Sequence, residues 1–344
     1  MKILRRLSAR TLVLCALAGV IAAVAAGIAF ARHDVVAPIG TGVVNVRTTL
    51  GYQGGAAAGT GIVLTSSGEV LTNNHVIRGA TSVRVVVPTT GRSYKATVVG
   101  YDVADDVAVL QLSGASNLRT AALGNSSTLR VGQQVTATGN AGGTGKLASV
   151  LGTIVGLGKT ITASDEQNGS EQLDGLIETN APLQPGDSGG PLFNGSNRVI
   201  GMNTAASVGF SFQTVGATDA FAIPINHALT LAKQIESGRS TATVHVGGTP
   251  FLGVQIQDVG GFGFGDTTAG GLVAGVVSGS PASKAGLTAG DVITAIGGRT
   301  VASSADVLTA LLAKTPGAAV QLTWVDQLGN QQTATVTLAS GPAL

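Results

Sequence analysis

Residues 185–192 run Pro185-Gly186-Asp187-Ser188-Gly189-Gly190-Pro191-Leu192, and no other segment constrains the chain as tightly. A serine hydroxyl is a poor nucleophile until a base takes its proton and backbone amides receive the charge that develops on the attacked carbonyl. Here Ser188 stands on a tight turn whose neighbours carry almost no side-chain bulk. The amides of Gly186 and Ser188 can therefore point at one carbonyl oxygen, as an oxyanion hole requires. The base and its orienting carboxylate have to come from elsewhere in the chain.

Two upstream segments supply them in order. Leu71-Thr72-Asn73-Asn74-His75-Val76 offers an imidazole, the side chain that can both accept and return a proton near neutral pH. Asp106-Val107-Ala108-Val109-Leu110 offers a carboxylate directly ahead of an apolar strand, where it can be buried against that ring. Asp102 and Asp105 stand close by, but neither touches the strand, and Asp105 reads as solvated. His75, Asp106 and Ser188 are thus the candidate catalytic set. The Gly-x-Ser-x-Gly spacing also fits the nucleophile turn of α/β-hydrolases, which needs a helix straight after the serine. Here Leu192-Phe193-Asn194-Gly195 leads into a turn and another strand, which argues against that fold.

The surroundings read as strand after strand. Residues 43–222 repeat four to eight residues rich in Val, Ile, Thr and Leu, followed by Gly, Asn or Ser. Segments 60–64, 82–87, 94–99, 107–112, 134–138, 148–155 and 199–204 are typical, and strict alternation in Val83-Arg84-Val85 marks half-buried strands. About a dozen such segments suit two small barrels joined near 117–131. With charged residues at 11%, aromatics at 3% and 51 glycines in 344 positions, the composition favours short strands and tight turns over a helical bundle. No basic stripe with interleaved aromatics appears, so nucleic-acid binding has no support. Nothing calls for a cofactor or a metal.

Both ends carry further segments. Basic residues 1–10 precede an uncharged run, 12–30, with Ala29-Phe30-Ala31 in the cleavage pattern, so residues 1–31 read as an export signal or an uncleaved membrane anchor. The single cysteine, Cys15, lies inside it, and a processed chain would have no thiol. Past the strands, 226–237 reads as a helix and 239–250 as a linker, although alternating Thr243-Val244-His245-Val246 allows part of it to pair. His227 and His245 read as structural. From Phe251 to 340 the pattern of strands with two helices, 281–285 and 305–314, makes a compact α+β module ending in a hairpin at Gly329-Asn330.

These motifs, together with Gly201-Met202-Asn203-Thr204-Ala205, Phe221-Ala222-Ile223-Pro224, Phe251-Leu252-Gly253-Val254 and Ser280-Pro281-Ala282, resemble the HtrA (DegP-like) family of exported serine proteases. The similarity spans about 38–338 and looks closest to single-PDZ mycobacterial-type members. It implies a mainly β fold: a chymotrypsin-like double β-barrel over 38–238, then a PDZ domain over 251–340. It also implies cleavage of unfolded or damaged proteins through an acyl-enzyme, with C-terminal peptides bound at the PDZ groove by Phe251, Leu252, Gly253 and Val254. A chaperone or PDZ scaffold with little proteolysis is the rival. The resemblance puts Pro182 at the base of the specificity pocket, with walls from Thr204, Ala205, Ala206, Phe221 and Ala222. Without a carboxylate there, a small or medium aliphatic side chain is expected before the cut bond.

Two departures stand out. Asp187 replaces the Asn usual in the family, and its partner is not evident in the sequence. Segment 32–42 lacks the aromatic residues such proteins use to trimerise, so a homotrimer is left open. The loops 160–174 and 207–219 are glycine-rich or polar, which fits a protease that rests inactive until a peptide binds.

Overall fold

The computed structural model describes residues 41–52, 54–165, 169–204, 210–212, 220–241, 243–258 and 269–343, with the side chains of 163–165, 169–171 and 210–212 left aside. The leader or anchor at 1–31, Ala205, Ala206 and most of loop 207–219 lie outside the described residues.

The first barrel is made of β1 (Val43–Leu50), β2 (Gly55–Val63), β3 (Glu69–Thr72), β4 (Ser82–Val87), β5 (Arg92–Asp102) and β6 (Val107–Leu112), with a one-turn helix α1 (Asn74–Ile77) after β3. Its order β5-β4-β1-β2-β3-β6 closes on itself through β5–β6 pairing. The second barrel uses β7 (Gln134–Gly139), β8 (Ala148–Asp165), β9 (Gly169–Thr179), β10 (Pro191–Asn194), β11 (Val199–Thr204), a short β12 (Phe210–Phe212) and β13 (Ala220–Pro224). It closes in the order β8-β7-β10-β11-β13-β9, with β12 outside on β8. Closure satisfies every strand edge within each ring, which suits a chain with so few charged residues to guard an edge.

Alternation fills each barrel. Val46, Val63, Val70, Val85, Tyr101 and Leu110 pack in the first core. Val135, Ile154, Ile177, Leu192 and Ile200 pack in the second. A third cluster joins them under α2 (Ile225–Glu236), whose Ile225, Ala228, Leu231, Ala232 and Ile235 recur at helical spacing and are all buried. Burying each Ile or Leu there contributes about 1.5–3 kcal/mol.

Part of the segment read as a linker is structured. β14 (Val244–Val246) adds to β5 at the rim of the first barrel, and His245 Nε2 lies 3.1 Å from the Gly248 carbonyl. β15 (Thr249–Phe251) then pairs with the terminal β22 (Ala339–Gly341). The α+β module between them contains β16 (Val254–Asp258), β17 (Gly271–Val276), α3 (Pro281–Ala285), β18 (Val292–Ile296), β19 (Arg299–Thr300), α4 (Ser304–Leu312), β20 (Ala319–Val325) and β21 (Gln331–Thr337). Its own core gathers Leu252, Val273, Ile293, Val307, Leu322 and Trp324. Contacts among the described residues tie it to the first barrel. Tyr52 stacks on Phe251 with ring centroids 5.0 Å apart, and the Gly79 amide donates to the Ala343 carbonyl at 2.8 Å.

Candidate active site

Asp106 sits in the bend before β6 with φ +53°, a left-handed conformation that aspartate tolerates better than most side chains. That bend turns its carboxylate back toward α1. The backbone N–H of His75 donates to Oδ1 at 2.9 Å, and the imidazole Nδ1 meets Oδ2 at 2.8 Å. Thr204 at the end of β11 adds a hydroxyl donor to Oδ2 at 3.0 Å. The Asp106 carbonyl is held as well, by the Asn73 side-chain amide at 2.9 Å. Asp106 is 3% exposed, so these bonds operate away from water. An ionised carboxylate only accepts, so Nδ1 carries the proton and Nε2 is the ring nitrogen with a lone pair.

The neighbouring acids play other parts. Asp102 is buried and accepts from Thr243 Oγ1 at 2.9 Å and from the Asp105 amide at 3.0 Å. Asp105, read as solvated, is partly exposed and lies 3.0 Å from His227 Nε2 at the start of α2.

Ser188 is buried in the turn between β9 and β10, and backbone bonds shape that turn. The Asp187 amide donates to Gln184 O at 3.0 Å, the Gly190 amide to Asp187 O at 3.0 Å, and the Gly189 amide to Asn203 O at 2.8 Å. Gly186 and Gly189 have φ of +100° and +81°. A Cβ on the first would run into Asn140 O, and one on the second into Thr60 O. Glycine is thus required at both positions by backbone angle and by space together.

The serine turn and the residue after His75 both lie against β2. The Thr60 amide donates to the Ser188 carbonyl at 2.8 Å. A Cβ on Gly59 would stand 2.6 Å from Val76 Cγ1 and 3.3 Å from Ser188 O, so the residue after His75 and Ser188 itself converge on one glycine. The described residues thus hold a buried carboxylate bonded to an imidazole, and a serine turn set among glycines against the neighbouring strand.

The remaining sequence-derived positions are placed as follows. Thr204, read as a pocket wall, directs its hydroxyl to Asp106. Phe221 and Ala222 on β13 are buried in two different core clusters, and Pro182 is exposed. Asp187 accepts from the Gln184 amide at 2.9 Å, and burial raises its pKa despite that bond. Leu252 is core, Gly253 has φ +85° with its carbonyl accepting from Val277 N at 2.9 Å, and Val254 opens β16. Among the described residues β16 pairs only with β17, which makes it an edge strand. No group of three or more His, Cys, Asp or Glu able to hold a metal gathers among the described residues.

Sequence reasoning missed Thr60, Asn73 and Asn140, all fully buried polar residues beside this site. The Thr72-Asn73-Asn74 run ahead of His75 carries a signal, since three polar residues between a strand and a histidine seldom lack a hydrogen-bonding task.

A family model described as a trypsin-like peptidase domain matches residues 59–202, and one described as a PDZ domain matches residues 250–338. The chain is 33% identical over 325 residues to "Serine protease PepD" of Mycobacterium tuberculosis, covering 89% of this chain and 65% of that protein. It is 37% identical over 235 residues to a "Probable periplasmic serine endoprotease DegP-like" of Pseudomonas savastanoi pv. phaseolicola, covering 66% of this chain and 44% of that protein. The chain therefore spans less than two thirds of the length of these curated relatives. Among solved structures, "HtrA-type protease AlgW with tripeptide" superimposes with a TM-score of 0.50 at 29% identity, covering 88% of this chain and 94% of that one.

Proposed function

We propose that this chain, whose trypsin-like peptidase and PDZ matches are similar to those of HtrA-type proteases, is an exported HtrA-family endopeptidase for unfolded or damaged proteins. The observation that carries this reading is the 2.8 Å contact between His75 Nδ1 and a buried Asp106 carboxylate, beside a serine set among glycines.

In the proposed cycle, His75 Nε2 takes the Ser188 Oγ proton as Oγ bonds to the scissile carbonyl carbon. The carbonyl π electrons move onto oxygen, and the resulting anion is received by the amides of Gly186 and Ser188. Asp106 keeps the ring in the required tautomer and stabilises the imidazolium. The tetrahedral centre collapses, the C–N bond breaks, and His75 returns its proton to the leaving amine. Water then repeats the sequence on the acyl-enzyme and releases Ser188.

Substrate selection is proposed at two places. A pocket based on Pro182 without a carboxylate suits a small or medium aliphatic side chain. The edge strand β16, opened by Gly253, suits an extended C-terminal peptide added as a further strand. Export is supported by the word periplasmic in a relative's name and by the basic-then-apolar order of residues 1–31. No helix of the described residues is long and apolar enough to cross a membrane.

The test compares the purified protein with Ser188→Ala on unfolded casein. The variant is expected to lose up to about a million-fold in turnover, as when a catalytic unit loses its nucleophile, and to escape labelling by a fluorophosphonate. Turnover equal to the unmodified protein would end the protease reading. Mapping the fragment ends in the same digest tests the pocket, and cuts made chiefly after Arg or Lys would refute it.

A further inference from the structure

Gly186 joins two peptide planes, and each is held by a bond from a different barrel. The Pro185 carbonyl accepts from the Gly142 amide at 2.8 Å, in the 3-10 turn over residues 141–143 that follows β7. In a trans peptide C=O and N–H point opposite ways, so this bond fixes the direction of the Gly186 N–H. The Gly186 carbonyl accepts from Thr60 Oγ1 on β2 at 2.7 Å. That plane lies between the two amides that would receive the oxyanion.

Thr60 is fully buried, and three other bonds converge on it. Its hydroxyl accepts from the Asn140 amide at 2.9 Å. Its own amide donates to Ser188 O at 2.8 Å, and its carbonyl accepts the Thr72 hydroxyl at 2.7 Å. One hydroxyl thus holds Gly186 directly and, through Asn140, steadies the turn that carries Gly142. A hydroxyl is the smallest side-chain group that can accept from one backbone amide while donating to a carbonyl. Glycine at 186 leaves both planes free to rotate unless something outside the turn holds them.

We infer that Thr60 is a positioning residue for the oxyanion hole, its hydroxyl aligning the Gly186 and Ser188 amides on the developing negative charge. The inference rests on the protease reading given above. Removing the hydroxyl leaves Gly186 O and Asn140 N–H buried without that partner, and rotation of the turn to relieve them takes the hole out of line.

The experiment uses the full chain with Thr60→Val, which keeps shape and removes the hydroxyl, and Thr60→Ser, which keeps the hydroxyl. On a peptide substrate Thr60→Val is expected to lose about 100-fold in kcat, the scale of losing one oxyanion donor. KM should stay within about threefold, since ground-state binding is untouched. A peptide aldehyde, whose adduct carries an oxyanion, should bind more weakly by a factor similar to the kcat loss. The pH midpoint of kcat/KM should not move, because the His75–Asp106 contact is left in place. Thr60→Ser should recover most of the loss.

A folded Thr60→Val with kcat within about threefold of the unmodified protein would overturn the inference, and so would a folded Thr60→Ser as impaired as Thr60→Val. If Thr60→Val does not fold, Thr60→Cys replaces it: its weaker donor should leave kcat below that of Thr60→Ser, and equality refutes the proposal. Ser188→Ala runs in parallel. An active Ser188→Ala defeats the protease reading itself, whereas an inactive Ser188→Ala beside a fully active Thr60→Val defeats only the role of Thr60.

Discussion

The two halves of the candidate site are built from different materials. On the first barrel, His75 and Asp106 meet through side chains, with the carboxylate accepting from the His75 amide, its ring and the Thr204 hydroxyl. On the second barrel, residues 184–190 are shaped by backbone bonds and by glycines with no room for a Cβ. The first half therefore depends on charge and tautomer, whereas the second depends on empty space and on peptide planes held from outside. Substitutions should fail in different ways on the two sides.

Asp106→Asn breaks the side-chain half with almost no change of shape. The carboxylate now accepts three donors, but an amide has one accepting oxygen and an NH₂ that cannot face Nδ1–H. The ring must adopt the other tautomer, which places a proton on Nε2 where a base needs a lone pair. The expected result is a loss of about 10⁴ in kcat, as found for the equivalent change in a serine-protease triad, with the fold retained by circular dichroism. A loss below about tenfold would mean that orientation by Asp106 contributes little and that the contrast between the halves is false.

The same contrast explains how much of the fold and the site is legible in the sequence. Ser82–Val87, Val107–Leu112 and Val199–Thr204 form strands with the bounds expected from their Val, Ile and Leu pattern. The start of β2 was not legible, because Gly55-Ala56-Ala57-Ala58 has no strand preference and is extended only through pairing with β1. β8 continues ten residues past 155, through Gly156 and Gly158, because its hairpin with β9 absorbs the irregularities as register shifts. Within the site, chemistry-bearing types were visible: a histidine, an aspartate before a strand, a serine between glycines. Thr60 and Thr204 were not, since a threonine in a β-branched run reads as a strand former until its hydroxyl is seen to bond Gly186 or Asp106.

Asp187 sharpens the comparison, because it is the one ionisable side chain inside the backbone-built turn. Its carboxylate closes that turn on the Gln184 amide at 2.9 Å, and burial raises its pKa. An asparagine oxygen can accept the same bond without a buried charge. A raised pKa means that ionisation costs folded-state stability, a cost absent at acid pH and present above the folded pKa. Asp187→Asn should therefore melt higher at pH 7 than the unmodified protein and equally at acid pH, while kcat changes by less than about threefold. A loss in kcat comparable to that of Asp106→Asn would show that charge matters in both halves of the candidate site.

The smallest expected effect lies outside both halves, in a pair of carboxyl groups linking β3 to the end of α2. Burial first, then a hydrogen bond and like-charge repulsion from Glu236, raise the pKa of Glu69 from 4.5 to about 7. The folded protein thus keeps a proton on Glu69 over a range in which the unfolded chain has released it. Stability from this group is fully present below 4.5, falls as pH rises toward about 7, and stays at its lower level beyond. Glu69→Gln keeps a donor for Glu236 and removes the titration. It should match the unmodified protein near pH 4.5, melt above it at pH 8, and leave kcat unaltered at every pH. Because Glu69 is only half-buried, solvent screening keeps the difference small. Parallel melting curves for the two proteins across this range would show that the pair is solvated, and a pH-dependent change in kcat would extend the charge-built half of the site from His75 back along β3 to Glu69.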